Sequence, residues 1–178
     1  MQILAGVGAP ATGDYNSIAT FSVGGAGSST IDITSIPSTY KHIQIRGIIK
    51  ASTGSQLNFK LNSDATANYA RHGAMGDGAI TNIWSVANGS YFMTFPFTGL
   101  PTGANIFASV VIDILDYAST SKYKTVRIMS GQDSNGSGEV DLASGLWFNT
   151  AAVTSVNVFL PTGNFVQYST LSVYGING

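Results

Sequence analysis

The chain has 178 residues, of which 10% are charged, and it carries a net charge of −1 with no Cys. This length suits one domain, and the lack of Cys excludes a disulfide scaffold and thiolate metal sites. The near-zero charge gives no support to nucleic-acid binding. No stretch reaches the roughly 18 apolar residues of a membrane helix. No basic segment precedes the apolar N-terminus, so we expect neither membrane insertion nor a signal peptide.

Strand patterns follow one another along the chain, while Gly interrupts nearly every window in which a helix could form. Residues 1–17 begin apolar and Gly-rich, and we interpret them as an N-terminal arm or a first edge strand. After them, the pattern predicts eleven strands, at residues 18–23, 30–34, 41–51, 56–61, 80–86, 90–95, 105–117, 123–131, 139–147, 153–160 and 168–176.

The alternation of side chains is clearest in the third predicted strand, residues 41–51. Ile43 and Ile45 fall on one face of this strand, and Gln44 and Arg46 fall on the other. The pattern predicts one packed face and one face that meets solvent or a partner.

Two Asn-Gly pairs, Asn88-Gly89 and Asn135-Gly136, stand between predicted strands. A type I′ turn needs positive φ at both central residues, so each pair predicts a hairpin. Many strands with turn residues throughout predict an all-β, antiparallel, single-domain β-sandwich over residues 18–178. Among sandwiches we expect a jelly roll, because it accommodates long strands and long loops.

The Gly-rich residues 68–78 are interpreted as a structured loop in which Asn68, Arg71 and His72 bond backbone groups. Neither His72 nor His42, on the polar face of a strand, accompanies a G-x-S-x-G nucleophile elbow. The sequence therefore gives no support to a hydrolase.

Two carboxylates near the middle of the chain, Asp113 and Asp116, are three residues apart and so point to opposite faces of a strand. They cannot share a substrate. Asp113 lies among apolar residues, and we expect it to have a partner such as Arg127 rather than a catalytic role.

One segment alternates oxygen-bearing residues in the manner of a calcium loop, with Gly138 at the sixth position. The candidate ligands are Asp133, Asn135, Ser137, Glu139 and Asp141. Ser144 stands where such a loop carries its final Glu, and an ordinary hairpin connection has the same composition. Ca²⁺ is therefore a weak candidate, and we expect no other cofactor and no catalytic residue.

Aromatic residues cluster around the stretch YFMTFPF, in which both faces of the predicted strand carry apolar side chains. A strand that packs in the core on one face and against another subunit on the other explains this pattern. We expect contacts with a partner at Trp84, Tyr91, Phe95 and Phe97. Core packing and a platform for stacking sugars remain the alternatives for these rings.

Four segments resemble a group of small structural proteins encoded by tailed bacteriophages, especially those of cyanobacteria and aquatic bacteria. They are SIPSTYKHIQIRG (35–47), LNFKLNSDATANYARHGAMGDG (57–78), VVIDILDYASTSKYKTVR (110–127) and YSTLSVYGI (168–176). The resemblance implies a virion component with a jelly-roll-like fold. It implies no catalytic residues, and it leaves the location within the particle open.

We therefore expect a non-enzymatic virion protein on the particle surface, made in the host cytoplasm. A capsid decoration (cement) protein acting as a homo-oligomer, such as a trimer, is the first hypothesis, with other phage structural proteins as partners. The N-terminal arm would reach a neighbouring subunit through Met1, Ile3, Leu4 and Val7. The alternative is a tail or fibre-tip module that binds host glycan, although the chain shows no long shaft pattern.

Overall fold

The computed structural model describes residues 15–178, which form twelve β-strands. The strands are β1 (Tyr15–Ser22), β2 (Thr30–Ile33), β3 (His42–Ile49), β4 (Leu57–Leu61), β5 (Tyr69–Gly76), β6 (Thr81–Gly89), β7 (Phe92–Thr94), β8 (Ala108–Leu115), β9 (Lys124–Asp133), β10 (Gly138–Trp147), β11 (Val156–Phe159) and β12 (Thr170–Ile176). Over this part of the chain, no helix is long and apolar enough to cross a membrane.

The strands form two antiparallel sheets. The larger has eight strands in the order β1-β12-β3-β8-β9-β10-β5-β6, and the smaller has the order β2-β11-β4-β7. Without the hairpins β5–β6 and β9–β10, each sheet has four strands, and the chain passes between them as in a jelly roll. The predicted all-β, antiparallel, jelly-roll-like sandwich is confirmed. The two additional hairpins lie together and extend the larger sheet beyond β8.

The core lies between the two sheets and is built largely by the alternation of side chains along the strands. In β8, for example, Val110, Ile112 and Ile114 are buried, whereas the side chains between them are only partly covered or exposed. Aromatic rings fill the end of the core near β7, where the Tyr69 ring packs edge-on against Phe92 at 4.9 Å between centroids. Apolar burial of this kind is the main source of stability in a chain without disulfides.

One strand was not predicted. Residues 68–78 were interpreted as a loop, but β5 runs through them and pairs with both β10 and β6. Its glycines hid the strand pattern, and at Gly73 the lack of a side chain is required. A Cβ there would lie 2.3 Å from the indole ring of Trp84. The first strand also begins earlier than predicted, at Tyr15, as an edge strand paired with β12.

The two Asn-Gly pairs have different outcomes. Asn135 and Gly136 both have positive φ and connect β9 to β10, as predicted for a hairpin. Asn88-Gly89 does not close a hairpin, because β6 pairs with β5 whereas the following strand, β7, pairs with β4 in the other sheet. This pair therefore belongs to a crossing between the sheets.

Candidate interaction surface

The outer face of the larger sheet presents apolar side chains to solvent. Because inward residues alternate with outward ones, this face carries the side chains that the core does not use. Ile48 on β3 is 55% exposed, and four side chains further along the sheet are also more than half exposed: Ile83 (84%), Met129 (58%), Val140 (66%) and Leu142 (62%). The last four belong to the additional hairpins, so most of the exposed apolar surface of this face lies on the extension of the jelly roll.

Apolar side chains on this face line up in register across five strands. We call them the outer apolar row: Val111 on β8, Met129 on β9, Leu142 on β10, Ala74 on β5 and Ile83 on β6. Each is directly opposite the next in the strand pairing. At about 4.8 Å between strands, the row is roughly 19 Å long. Monomeric soluble proteins rarely expose an apolar patch of this kind unless it binds something.

A shallow depression of about 720 Å³ interrupts the row above β5. Its walls include Ile83 on one side and Leu142 on the other, and its floor includes Gly73 and Ala74. The depression exists because the floor residues are small while the wall residues are large. It can receive one projecting apolar side chain.

A polar row runs beside the outer apolar row, one pair of residues further along each strand. In order across the sheet it consists of Gln44, Asp113, Arg127, Ser144, His72 and Ser85. Arg127 lies 3.4 Å from the Asp113 carboxylate, which also accepts a hydrogen bond of 2.6 Å from the Gln44 amide. The expected pairing of Asp113 with Arg127 is confirmed, and the one carboxylate of this row is already neutralised.

The other predicted carboxylate, Asp116, lies beyond the end of β8 and has a different role. It contacts Lys122 at 2.6 Å and Lys41 at 3.1 Å, and its backbone N–H donates to His42. Hydrogen bonds from Lys122 and then Lys41 hold the pKa of Asp116 at about 2. These contacts join the segment after β8 to the starts of β3 and β9.

The calcium candidates are not brought together. Asp133 and Asn135 lie exposed at the end of β9 and in the turn that follows, whereas Glu139 and Asp141 point into the sandwich. Glu139 accepts hydrogen bonds from the Thr98 backbone and hydroxyl. Among residues 15–178, no group of three or more His, Asp or Glu side chains is placed to hold a metal ion.

The pKa values of the two inward carboxyls are shifted by their surroundings. Burial raises the pKa of Glu139, which the hydrogen bonds from Thr98 only partly offset. Burial likewise raises the pKa of Asp141, although hydrogen bonds from the Thr94 hydroxyl and the Phe95 backbone favour its charged form. Both carboxyls are at most 2% exposed, so they are not accessible as a pair of catalytic acids.

The aromatic residues expected to contact a partner are divided by the structure. Phe95 is fully buried and belongs to the core, so a partner cannot reach it. Tyr91 is partly buried, edge-on to Phe159, with the Arg71 guanidinium over its ring.

Trp84 and Phe97 differ in exposure. Trp84 is partly buried and covers Gly73 with its ring. Phe97 is 52% exposed and remains available for contact.

The remaining contact candidates, Met1, Ile3, Leu4 and Val7, lie outside the described residues. The outer apolar row was not predicted from the sequence. Its signal is visible only in hindsight, in the alternation of Val140 and Leu142 with Glu139 and Asp141, because the pattern does not say which set faces inward.

Comparisons with known proteins give no assignment. No family model matches the chain, and no curated protein matches it either. Its function must therefore be argued from its own residues.

Proposed function

We propose that the chain is a non-enzymatic structural protein of a tailed-phage particle, displayed on the particle surface as an oligomeric capsid decoration protein. The observation that carries this proposal is the outer apolar row, since a large exposed apolar patch marks a surface made for association. The jelly-roll fold and the resemblance of four segments to small phage structural proteins support the same function.

The mechanism would be mechanical. Each copy would bridge neighbouring capsomers and bury apolar area, at about 25 cal/mol per Å² before the costs of association are subtracted. Many copies on one lattice make weak contacts collectively strong. Such a protein would be made in the host cytoplasm and would act in the virion, with other phage structural proteins as its partners.

The first experiment is to locate the chain in purified particles by cryo-electron microscopy, with copy number from quantitative gels. Hundreds of copies on the capsid lattice are expected. A few copies at the tail, or none in the particle, would contradict the decoration function.

The N-terminal segment is proposed as the arm that reaches a neighbouring subunit through Met1, Ile3, Leu4 and Val7. Deletion of residues 1–12 leaves β1, which begins at Tyr15, intact. We expect the deletion to abolish particle binding while the circular dichroism spectrum and thermal unfolding stay unchanged. Unaltered occupancy of the particle by the shortened chain would overturn the role of the arm.

A second candidate function, host-glycan binding at a tail or fibre tip, is favoured by one observation. Tyr123 and Phe148 are 51% and 40% exposed and form an edge-to-face pair with ring centroids 5.6 Å apart. Exposed aromatic faces are suited to stacking on sugars. A glycan array distinguishes the two functions. Binding that Tyr123→Ala and Phe148→Ala abolish, together with a tail location, would favour adhesion.

A further inference from the structure

We propose that two copies of this chain contact each other through the outer faces of their larger sheets. A two-fold axis relates the two copies; it lies in the plane between the facing sheets, parallel to the strands and midway between β9 and β10. The inference deepens the proposed function, on which it rests, by assigning the surface through which the oligomer forms. It also replaces the trimer expected from the sequence with a pair, because a two-fold contact uses one patch twice and is closed.

The exposed apolar area of the outer face is large enough to supply much of a stable interface with a second copy of the chain. The four most exposed apolar side chains of the additional hairpins, Ile83, Met129, Val140 and Leu142, present on the order of 500 Å² of apolar surface. A stable interface buries about 800 Å² per partner, so these side chains would supply more than half of it. Two β-sheets packed face to face are a common arrangement, which makes a second copy of the same sheet a suitable partner.

The proposed axis places apolar side chains of the outer apolar row opposite one another on the four strands nearest to it. Rotation about it brings β9 over the partner's β10, so that Met129 faces the partner's Leu142. It also brings β8 over the partner's β5, so that Val111 faces the partner's Ala74. Val111 would thus enter the depression between the two walls of the facing sheet, which are formed by Ile83 and Leu142.

The polar row is complementary to itself under the same rotation. Asp113 would face the partner's His72, and Arg127 would face the partner's Ser144. Because Asp113 and Arg127 already pair within one copy, the contact buries no carboxylate without a cation nearby. Arg46 continues the outer apolar row onto β3, where it lies over the rings of Tyr15 and Tyr174. The rotation places it at the rim of the contact, opposite the partner's Ile83.

The first test measures association of the full chain by sedimentation velocity and multi-angle light scattering. Wild type is expected to have twice the 18.5 kDa mass of one chain. Met129→Lys and Leu142→Lys should each raise the dissociation constant about 30-fold or more, as loss of a central interface residue does. Tyr168→Lys is the matched control, since Tyr168 is 73% exposed but lies outside the strands of this sheet, and it should leave the dissociation constant unchanged.

The second test uses the absence of Cys from the chain. Met129→Cys and Leu142→Cys chains, mixed in equal amounts, should be joined by a short bismaleimide, and any link in the mixture is between copies. Tyr168→Cys chains alone should not be joined. This test does not depend on the lysine variants folding.

Several outcomes would overturn the proposal. They are a monomer at all concentrations, an oligomer that both lysine variants leave intact, a trimeric mass, or no cross-link in the first mixture. A full chain that is monomeric but pairs once residues 1–12 are deleted would assign the face to the N-terminal segment instead. Microscopy of particles separates the two proposals: a monomer on the capsid lattice overturns the pair alone, and a pair absent from particles overturns the decoration function alone.

Discussion

At the scale of single residues, Glu139 and Asp141 are carboxyls that the sandwich buries without a cation beside them. Burial raises the pKa of each above its value in the unfolded chain, so the folded state binds more protons than the unfolded state in the pH range between the two values. The associated stability is present below the unfolded pKa, near 4, and is lost as pH rises through the folded pKa.

Glu139→Gln tests this linkage. The amide oxygen can accept the hydrogen bonds from Thr98 without carrying a charge. We expect the variant to be more stable than wild type at pH 8, and this difference to shrink or reverse at pH 4. Urea unfolding from pH 4 to pH 8 measures it, with the exposed Asp133→Asn as control. Parallel pH profiles for Glu139→Gln and wild type would contradict the raised pKa.

Asp64 shows the opposite linkage. Burial acts to raise its pKa, but hydrogen bonds from Thr66, Asn68 and Trp147 outweigh burial and hold the pKa at about 2. Its contribution is therefore present above the unfolded pKa, near 3.9, and is lost as pH falls towards 2.

Removing the Asp64 charge should destabilise the turn between β4 and β5. Asp64→Asn is expected to cost about 1–2 kcal/mol at pH 7 and progressively less below pH 4. Thermal unfolding at pH 7 and pH 3 measures the difference. Asp32→Asn is the control and should change stability little, because Asp32 lies at an exposed strand position where its carboxylate accepts a hydrogen bond from Asn157. An equal loss at both pH values would contradict the assignment.

At the scale of elements, β5 depends on the close approach of a side chain to a glycine. The Trp84 indole ring occupies the space where a Cβ of Gly73 would stand, 2.3 Å away. Gly73→Ala should therefore displace the ring and cost about 1–3 kcal/mol, as overpacking does. Gly24→Ala, where nothing lies within 4 Å of the added Cβ, should change the stability by less than about 0.5 kcal/mol. Urea denaturation compares the two, and similar losses would show that the indole contact does not matter.

Most of the strands could be predicted from the sequence, and the exceptions have identifiable physical causes. Strand alternation predicted most strands and the sandwich, because inward apolar residues recur at period two. It missed β5, where the reason for Gly73 is a ring eleven residues away. It also overextended the segment before Pro96, since β7 ends at Thr94 and Phe95 has a positive φ of 57°.

The outer surface could not be predicted for a related reason. In β10, polar Glu139 and Asp141 alternate with apolar Val140 and Leu142, and a strand pattern cannot say which set faces the core. The structure buries the carboxyls and exposes the apolar residues. That inversion depends on neighbours from β7 and the loop after it, Thr94 and Thr98, which hydrogen-bond to the carboxyls.

At the scale of the whole molecule, the near-zero net charge bears on how copies associate. The chain carries 8 Lys and Arg against 9 Asp and Glu, so two copies meet with little long-range repulsion or attraction. The proposed contact depends on apolar burial, and its charged pair is already formed within each copy. Salt should therefore affect association weakly.

We expect the dissociation constant of the pair to change less than about threefold between 0.05 M and 0.5 M NaCl. Added salt shortens the Debye length from about 14 Å to about 4 Å, and this screening weakens only contacts that depend on charge. Sedimentation at both concentrations measures the change. Arg127→Gln is the matched variant. It removes the cation beside Asp113, so the contact would bury an uncompensated carboxylate, and it should weaken association. A wild-type dissociation constant that rises tenfold or more with salt would show that charge, rather than the outer apolar row, holds the copies together.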